Sequence, residues 1–387
     1  MDTTVITITR PADIVAYIPY RLGFRPRDSI VLVAMCGPRN RLGLVSRVDL
    51  ADVAEPRTGP EILLGLIDLM EKDGAHDVFV VLYSDLPRSL LAEDAHVGGA
   101  LRHLRALTSW ADPPGPWVVG AHGHGPWGED EECAPATGRT RDLEQGTIAA
   151  TMVLHGMTVV RERDDLAIPR STDPERRRAV TRAARDARRR RAEARREAVA
   201  GAVVADPTSG EYRGELRQWR EEEWRRWHRM VRLARRGAAL PAGELGRLAV
   251  GLEDAAVRGA ALGSLVLPCP GGLPDAAEAR RAVESVMLPG GPPPEPDRVE
   301  PATAVLRALA ACAPRRQGAV ALAMLAFVAW WSADGARADV LAKQALRARP
   351  RITLAEIVDQ AVNAQVPPGW VRTAPGGVSP AGSPPIR

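Results

Sequence analysis

The chain has 387 residues, 45% of them apolar and 26% charged, with a net charge of +4. That is too long for one ordinary domain, apolar enough to bury sizeable cores and charged enough to stay soluble. Of the 52 basic residues only Lys72 and Lys343 are lysine, and arginine shares GC-rich codons with the abundant alanine, glycine and proline, so arginine abundance is not by itself a sign of function.

In chain order, Val5-Ile6-Thr7-Ile8 is β-rich, and Pro11 opens a helix that Pro19 is expected to end or kink. Ser29 to Met35 is a continuous apolar run, as a strand buried on both faces requires. Leu42 to Leu50 alternates, and Gly37 to Asn40 between the two predicts a hairpin. Glu61 to Lys72 places Ile62, Leu63, Leu66, Ile67 and Met70 on one helical face. Asp77 to Tyr83 reads as a strand, Ser89 to Trp110 as a helix, Pro116 to Ala121 as a strand and Glu144 to His155 as a helix. Strands alternating with helices argue for parallel pairing in an α/β layer that closes near Arg161.

From Asp173 the strands stop. Helices are expected over residues 174–200, 210–236, 243–267, 276–287, 302–312, 317–333, 336–347 and 354–363, with a proline-rich linker at 289–296. The apolar stretch Gly318 to Trp331 is too short to span a bilayer and reads as a buried core helix. The fold class expected is therefore an α/β N-terminal domain, a mixed sheet with flanking helices, followed by an all-α C-terminal half. Its parts are residues 1–161, an arginine-rich connector helix at 162–205, a helical domain at 206–366 and a disordered tail at 367–387.

Met1 to Arg10 lacks the basic start and apolar core of a signal peptide. Cys36, Cys133, Cys269 and Cys312 stand without Cys-x-x-Cys spacing, so a reducing cytoplasm is the simplest setting.

The residues Ile18-Pro19-Tyr20, Leu22-Gly23-Phe24, Pro26, Asp28 to Val31 and Arg47 to Leu50, with Ala329-Trp330-Trp331 and Asp334-Gly335-Ala336 later, resemble an actinobacterial family of unknown function, number 4192 among such domains. The resemblance runs from Asp13 to about Trp370 and implies a cytosolic protein of a GC-rich bacterium, without implying an activity. Many members of that family carry paired cysteines after the strand near Trp117, where this chain has Cys133 alone.

Several constellations bear on chemistry. Gly123-His124-Gly125-Pro126-Trp127-Gly128 has the spacing of a dinucleotide loop, but Pro126 removes an amide and Glu129 to Glu132 repel phosphate, so a turn is expected. His122, His124 and Cys133 lack a fourth ligand, and neither a metal nor a cofactor is expected. Asp49, Asp85 and His122 end three predicted strands with Arg47 and Ser84 beside them, and ligands of parallel sheets bind at strand carboxyl ends. Those three are the candidate acid and base groups, and Arg47, Ser84 and Arg25 the candidate ligand contacts; the alternative is that they cap turns. Trp219, Trp224 and Trp227 alternate with arginines in the pattern of a base-stacking surface, but their helical spacing favours a core face. Ala338, Ala345, Leu346 and Pro350 fit one tetratricopeptide-like hairpin, without a repeat.

Residues 170–196 hold twelve arginines against Asp173, Glu175, Asp186 and Glu193, a charge of 12 − 4 = +8, so the rest of the chain sums to 4 − 8 = −4. Asp173 and Pro174 suit a helix start. The thin alanine stripe predicts a solvated connector, with Arg188, Arg189, Arg190 and Arg191 as candidate phosphate contacts for nucleic acid. The leading expectation is a non-catalytic, regulatory cytosolic protein that binds a protein partner through its helical half. The alternatives are a hydrolase-like small-ligand enzyme using the strand ends, and nucleic-acid association. No membrane partner is expected.

Overall fold

The computed structural model describes Ile8 and residues 10–371, except 38–39, 73, 108–115, 128–135, 205–213 and 269–270. The strand expected at Val5 to Ile8 therefore lies almost wholly outside the described residues, as do Cys133 and Cys269. The chain divides into two compact units, one ending at Leu166 and one spanning Ala167–Arg372.

The first unit is built on a six-stranded sheet of order β2-β1-β3-β4-β5-β6. Its strands are β1 (Ser29–Cys36), β2 (Arg41–Asp49), β3 (Ala75–Tyr83), β4 (Trp117–Val119), β5 (Gly123–Pro126) and β6 (Gly138–Arg139). The helices are α1 (Pro11–Leu22), α2 (Leu50–Ala54), α3 (Gly59–Lys72), α4 (Ala95–Leu107), α5 (Thr140–Gln145) and α6 (Thr147–Leu154). The β1–β2 hairpin forms as its turn residues predict, and β1 becomes an inner strand, antiparallel to both β2 and β3. Only β3 and β4 pair in parallel among the described strands, so the sheet is mixed where alternation alone pointed to parallel pairing. Burial on both faces explains the unbroken apolar run of β1. Ile30, Leu32, Ala34 and Cys36 join a core with Leu63, Leu66, Met70, Leu101 and Leu104 of α3 and α4. Val31 and Val33 are buried on the opposite face, where Tyr83 reaches α1.

Pro19 does not end α1, which continues to Leu22 and stops at Gly23 in the left-handed region (φ 78°). A proline at position 19 leaves the carbonyl four residues back without its helical donor. That carbonyl, on Val15, accepts from the Tyr83 hydroxyl at 3.4 Å, and burial pushes the Tyr83 pKa up, keeping the donor protonated.

The second unit contains α7 (Pro174–Val204), α8 (Gly214–Arg235), α9 (Ala242–Gly251), α10 (Ala255–Val266), α11 (Ala276–Ser285), α12 (Pro296–Cys312), α13 (Arg315–Trp331), α14 (Gly335–Ala348) and α15 (Thr353–Asn363). The single helix expected at 243–267 is two, because Asp254 caps a new start by accepting the amides of Ala256 and Val257. Every residue from Gln317 to Trp331 is buried, as a helix apolar all round requires. Trp219, Trp224 and Trp227 are core residues.

Two expectations about the ends of this unit need correcting. The arginine-rich helix is not a solvated connector: Val180, Ala184 and Ala187 of α7 are buried in the helical core. Small side chains there permit close backbone approach to α9 instead of burying large area. Nor does order stop at residue 367, since the indole of Trp370, 6% exposed, donates to the Trp331 carbonyl at 2.8 Å. No helix among the described residues is long and apolar enough to cross a membrane.

Candidate functional site

Because β2, β3 and β4 run in one direction and β1 in the other, the ends of the first three meet the start of β1 at one edge. Ser29 pairs with both Asp49 and Tyr83, and Tyr83 pairs with Val119. Asp49, Ser84, Asp85 and the loop carrying His122 therefore share an edge with Arg27 and Asp28. Sharing an edge is not sharing a reacting atom. Asp49 stands three strands from β4, about 14 Å at ~4.8 Å per strand, whereas an acid and a base must both reach one substrate within ~3 Å.

The side chains at this edge engage one another. Arg27 Nε donates to Asp85 Oδ2 at 2.8 Å, and its Nη1 to Glu162 Oε1 at 3.0 Å. Arg47 pairs with Asp49 at 2.6 Å and donates to the Arg27 carbonyl at 3.1 Å. Asp28, in the left-handed region at φ 38°, accepts the Asp85 amide at 3.2 Å, and Ser84 Oγ accepts the Leu86 amide at 3.2 Å. Arg25 pairs with Glu144 at 2.5 Å. His122 is exposed, and its carbonyl accepts from Thr140 at 3.3 Å. Such half-exposed pairs contribute ~0–1 kcal/mol each, enough to tie turns together.

Gly123 to Pro126 is neither a phosphate loop nor a turn but strand β5, paired with β4. The Arg88 guanidinium straps the two strands, donating to the carbonyls of Val118, Gly125 and Pro126 at 3.0 Å each. A strand poor in β-branched residues carries no local β signal; pairing with β4 and that arginine hold it. In consequence His124 is not an exposed loop residue but is 5% exposed. Among the described residues no group of three His, Cys, Asp or Glu side chains is placed to hold a metal ion.

His124 lines a pocket of about 450 Å³ with Trp117, Gly138, the start of α1 and the α5–α6 junction. Its ring stacks on Trp117 with centroids 6.0 Å apart and planes at 30°. The His124 Nδ1 and Trp117 Nε1 atoms are both buried without a hydrogen-bond partner. Burial, aided by Arg88 and opposed by Asp142, pushes the His124 pKa down, so the ring is neutral at neutral pH. The neutral ring carries one proton, and in the tautomer that holds it on Nδ1 the ring presents a buried donor lacking an acceptor. The other ring nitrogen, Nε2, lies beside Gly138, where a Cβ would come within 2.7 Å of it. At the α6 start, Gly146 supplies no cap, and the amides of Thr147, Ile148 and Ala149 have no acceptor among the described residues. Pocket charge comes from Arg10, paired with Asp13 at 2.9 Å, and from Asp142.

In α7, the candidate nucleic-acid arginines divide. Arg191 sits over the Trp219 ring at 5.4 Å and lies 3.7 Å from both Glu253 and Asp254. Arg188 approaches Glu253 at 3.9 Å, Arg189 pairs with Asp186, and Arg190 is exposed. The four are thus not one phosphate-facing row. Arg191→Gln is expected to lower stability by about 1–2 kcal/mol and Arg190→Gln by less than ~0.5 kcal/mol, read from urea unfolding midpoints. Equal effects would place Arg191 on the solvent side.

The family model described as domain of unknown function DUF4192 matches residues 11–369. The chain belongs to that family. Neither a curated protein nor a solved structure matches it. Family membership therefore covers both units and supplies no activity, and the reading of function rests on the pocket and the ion pairs described above.

Proposed function

We propose that the chain is a non-catalytic ligand-binding protein whose α/β unit takes up a small monocarboxylate with a planar apolar body. The observation that carries this reading is His124, buried at 5% exposure in a pocket of about 450 Å³ with a ring nitrogen left unpartnered. Native interiors pair such groups, so leaving one bare costs ~1–3 kcal/mol and is retained where a ligand uses the site. The uncapped amides of α6 and, in the tautomer protonated at Nδ1, the unpartnered nitrogen of His124 offer donors, and a helix start favours an anion. Arg10 against Asp13 and Asp142 gives the lining side chains a charge of 1 − 2 = −1, which opposes a multiply charged phosphate more strongly than a single carboxylate. Trp117, Leu143 and Ile148 supply the apolar wall. The ion-paired edge at Asp49 and Asp85 supports a binding role over acid–base chemistry, because its carboxylates already hold arginines.

The test is calorimetric titration with benzoate, and with neutral benzamide for comparison, on wild type and His124→Phe. Phenylalanine keeps the ring and removes the unpartnered nitrogen. The expected result is an unfolding midpoint at or above that of wild type, with benzoate affinity at least tenfold weaker. A destabilised variant that binds benzoate as wild type does, or a wild type that binds benzamide equally well, would make His124 a packing residue only.

A further inference from the structure

A second cleft lies in the helical unit, on the face of α8 turned to the segment that follows α10. It measures about 600 Å³ and is lined by Arg225, Arg229, Arg232 and His228 of α8 and by Gly271 and Gly272, with Glu221, Trp224 and Leu273 completing the wall. The arginines are spaced four and three residues apart, which places them along one side of a helix.

We infer that this cleft binds the phosphate group of a small phosphorylated molecule. Its charge is the first reason. Among the lining residues three guanidiniums stand against the single carboxylate of Glu221, an excess of 3 − 1 = +2 before Glu244 behind Arg229 is counted, and such an excess favours a phosphate dianion. Arg225 is held by Glu221 at 3.1 Å and Arg229 shares Glu244 at 3.7 Å, but Arg232 has no carboxylate within ion-pair distance among the described residues. A planar guanidinium kept free beside two others is suited to paired hydrogen bonds with phosphate oxygens.

The uncharged donors are the second reason. His228 Nε2 is buried without a hydrogen-bond partner, and its ring meets Trp224 edge-on at 4.1 Å. Burial, with Arg232 nearby, pushes the His228 pKa down, so the ring adds a hydrogen-bonding group without further charge. A Cβ on Gly271 or Gly272 would meet nothing within 4 Å, so the backbone there is open to a ligand. The cleft is far larger than a phosphate ion and falls within the usual range for small organic ligands, ~300–1,000 Å³. The contrast with the His124 pocket is one of charge: −1 there, +2 here.

Binding of phenyl phosphate, measured by calorimetry at low salt, tests the assignment, with the singly charged phenyl sulfate as its isostere. Wild type is expected to bind the phosphate at least tenfold tighter than the sulfate. Arg232→Gln, an exposed and unpaired position whose loss leaves the fold intact, is expected to weaken phenyl phosphate about tenfold. Arg190→Gln, an exposed arginine on α7, is expected to leave the affinity unchanged, and so is His124→Phe. Absence of saturable binding, equal affinity for phosphate and sulfate, or equal weakening by Arg190→Gln and Arg232→Gln would each overturn the inference. Loss on His124→Phe alone would overturn it as well, by assigning the bound phosphate to the α/β pocket.

Discussion

Trp331→Ala is expected to destabilise the helical unit by about 3–5 kcal/mol, a large share of the ~5–15 kcal/mol that holds a typical domain folded. Trp331 is the last residue of α13, and no part of it is exposed. Its indole donates to the Pro292 carbonyl at 2.9 Å, fixing the proline-rich segment, while its own carbonyl accepts from Trp370 at 2.8 Å. Beside it, Trp330 donates to the Val366 carbonyl at 2.8 Å. Truncation removes a large buried ring and leaves the Pro292 oxygen without its donor. Trp331→Phe retains most of the volume, so its cost is expected near 1–2 kcal/mol, the share of the hydrogen bond and the lost ring area. Urea unfolding of the three proteins checks both figures. A loss below ~1 kcal/mol for the alanine variant would mean that α13 is not the centre of a cooperative unit.

That helix illustrates what a sequence displays openly. Gly318 to Trp331 is apolar on every face, and only a position surrounded by protein accommodates such a helix. The β1–β2 hairpin and the Asp173 start of α7, where Asp173 Oδ1 accepts the Arg176 amide at 2.9 Å, are equally local and equally legible. Other features were hidden because their cause is distant in sequence. The donor that the Val15 carbonyl takes in place of a Pro19 amide is a hydroxyl at Tyr83, far along the chain. The existence of β5 depends on β4 and on Arg88. Strand order decides that β1 enters between β2 and β3, and periodicity carries no strand order. The same limit governs the candidate site. That Asp49, Asp85 and His122 share an edge follows from strand direction, but the strands separating Asp49 from His122, and the arginines already holding Asp49 and Asp85, are tertiary facts. The glycines around His124 conceal a buried strand. The missing hydrogen-bond partner of His124 has no trace in the sequence at all.

Gly246→Ala is the second substitution expected to have a large effect, and it tests how α7 joins the helical unit. Gly246 lies in α9, and a Cβ added there would press on the Val180 carbonyl oxygen, come within 2.6 Å of the Ala183 Cβ and within 2.9 Å of the Ala184 amide nitrogen. None of those atoms belongs to a flexible side chain, so only separation of α7 from α9 relieves the overlap. Two effects then oppose each other. Alanine in a helix interior gains ~0.5–1 kcal/mol over glycine, while overpacking against rigid backbone costs ~1–3 kcal/mol or more. Overpacking wins, and a net loss of about 1–3 kcal/mol is expected. Gly243, three residues earlier in the same helix, would place a Cβ with nothing within 4 Å. Gly243→Ala is therefore expected to stabilise by about 0.4–1 kcal/mol, because only the propensity gain remains. Hydrogen exchange separates the outcomes further: amides of α7 should lose protection in Gly246→Ala and keep it in Gly243→Ala. Effects of the same sign at both positions, or unchanged protection of α7 in Gly246→Ala, would show that α7 does not depend on close approach to α9. The charge of α7 makes that approach necessary. With Val180, Ala184 and Ala187 as its buried core residues among those described, contact at glycine distance is what compensates for the small area those side chains bury.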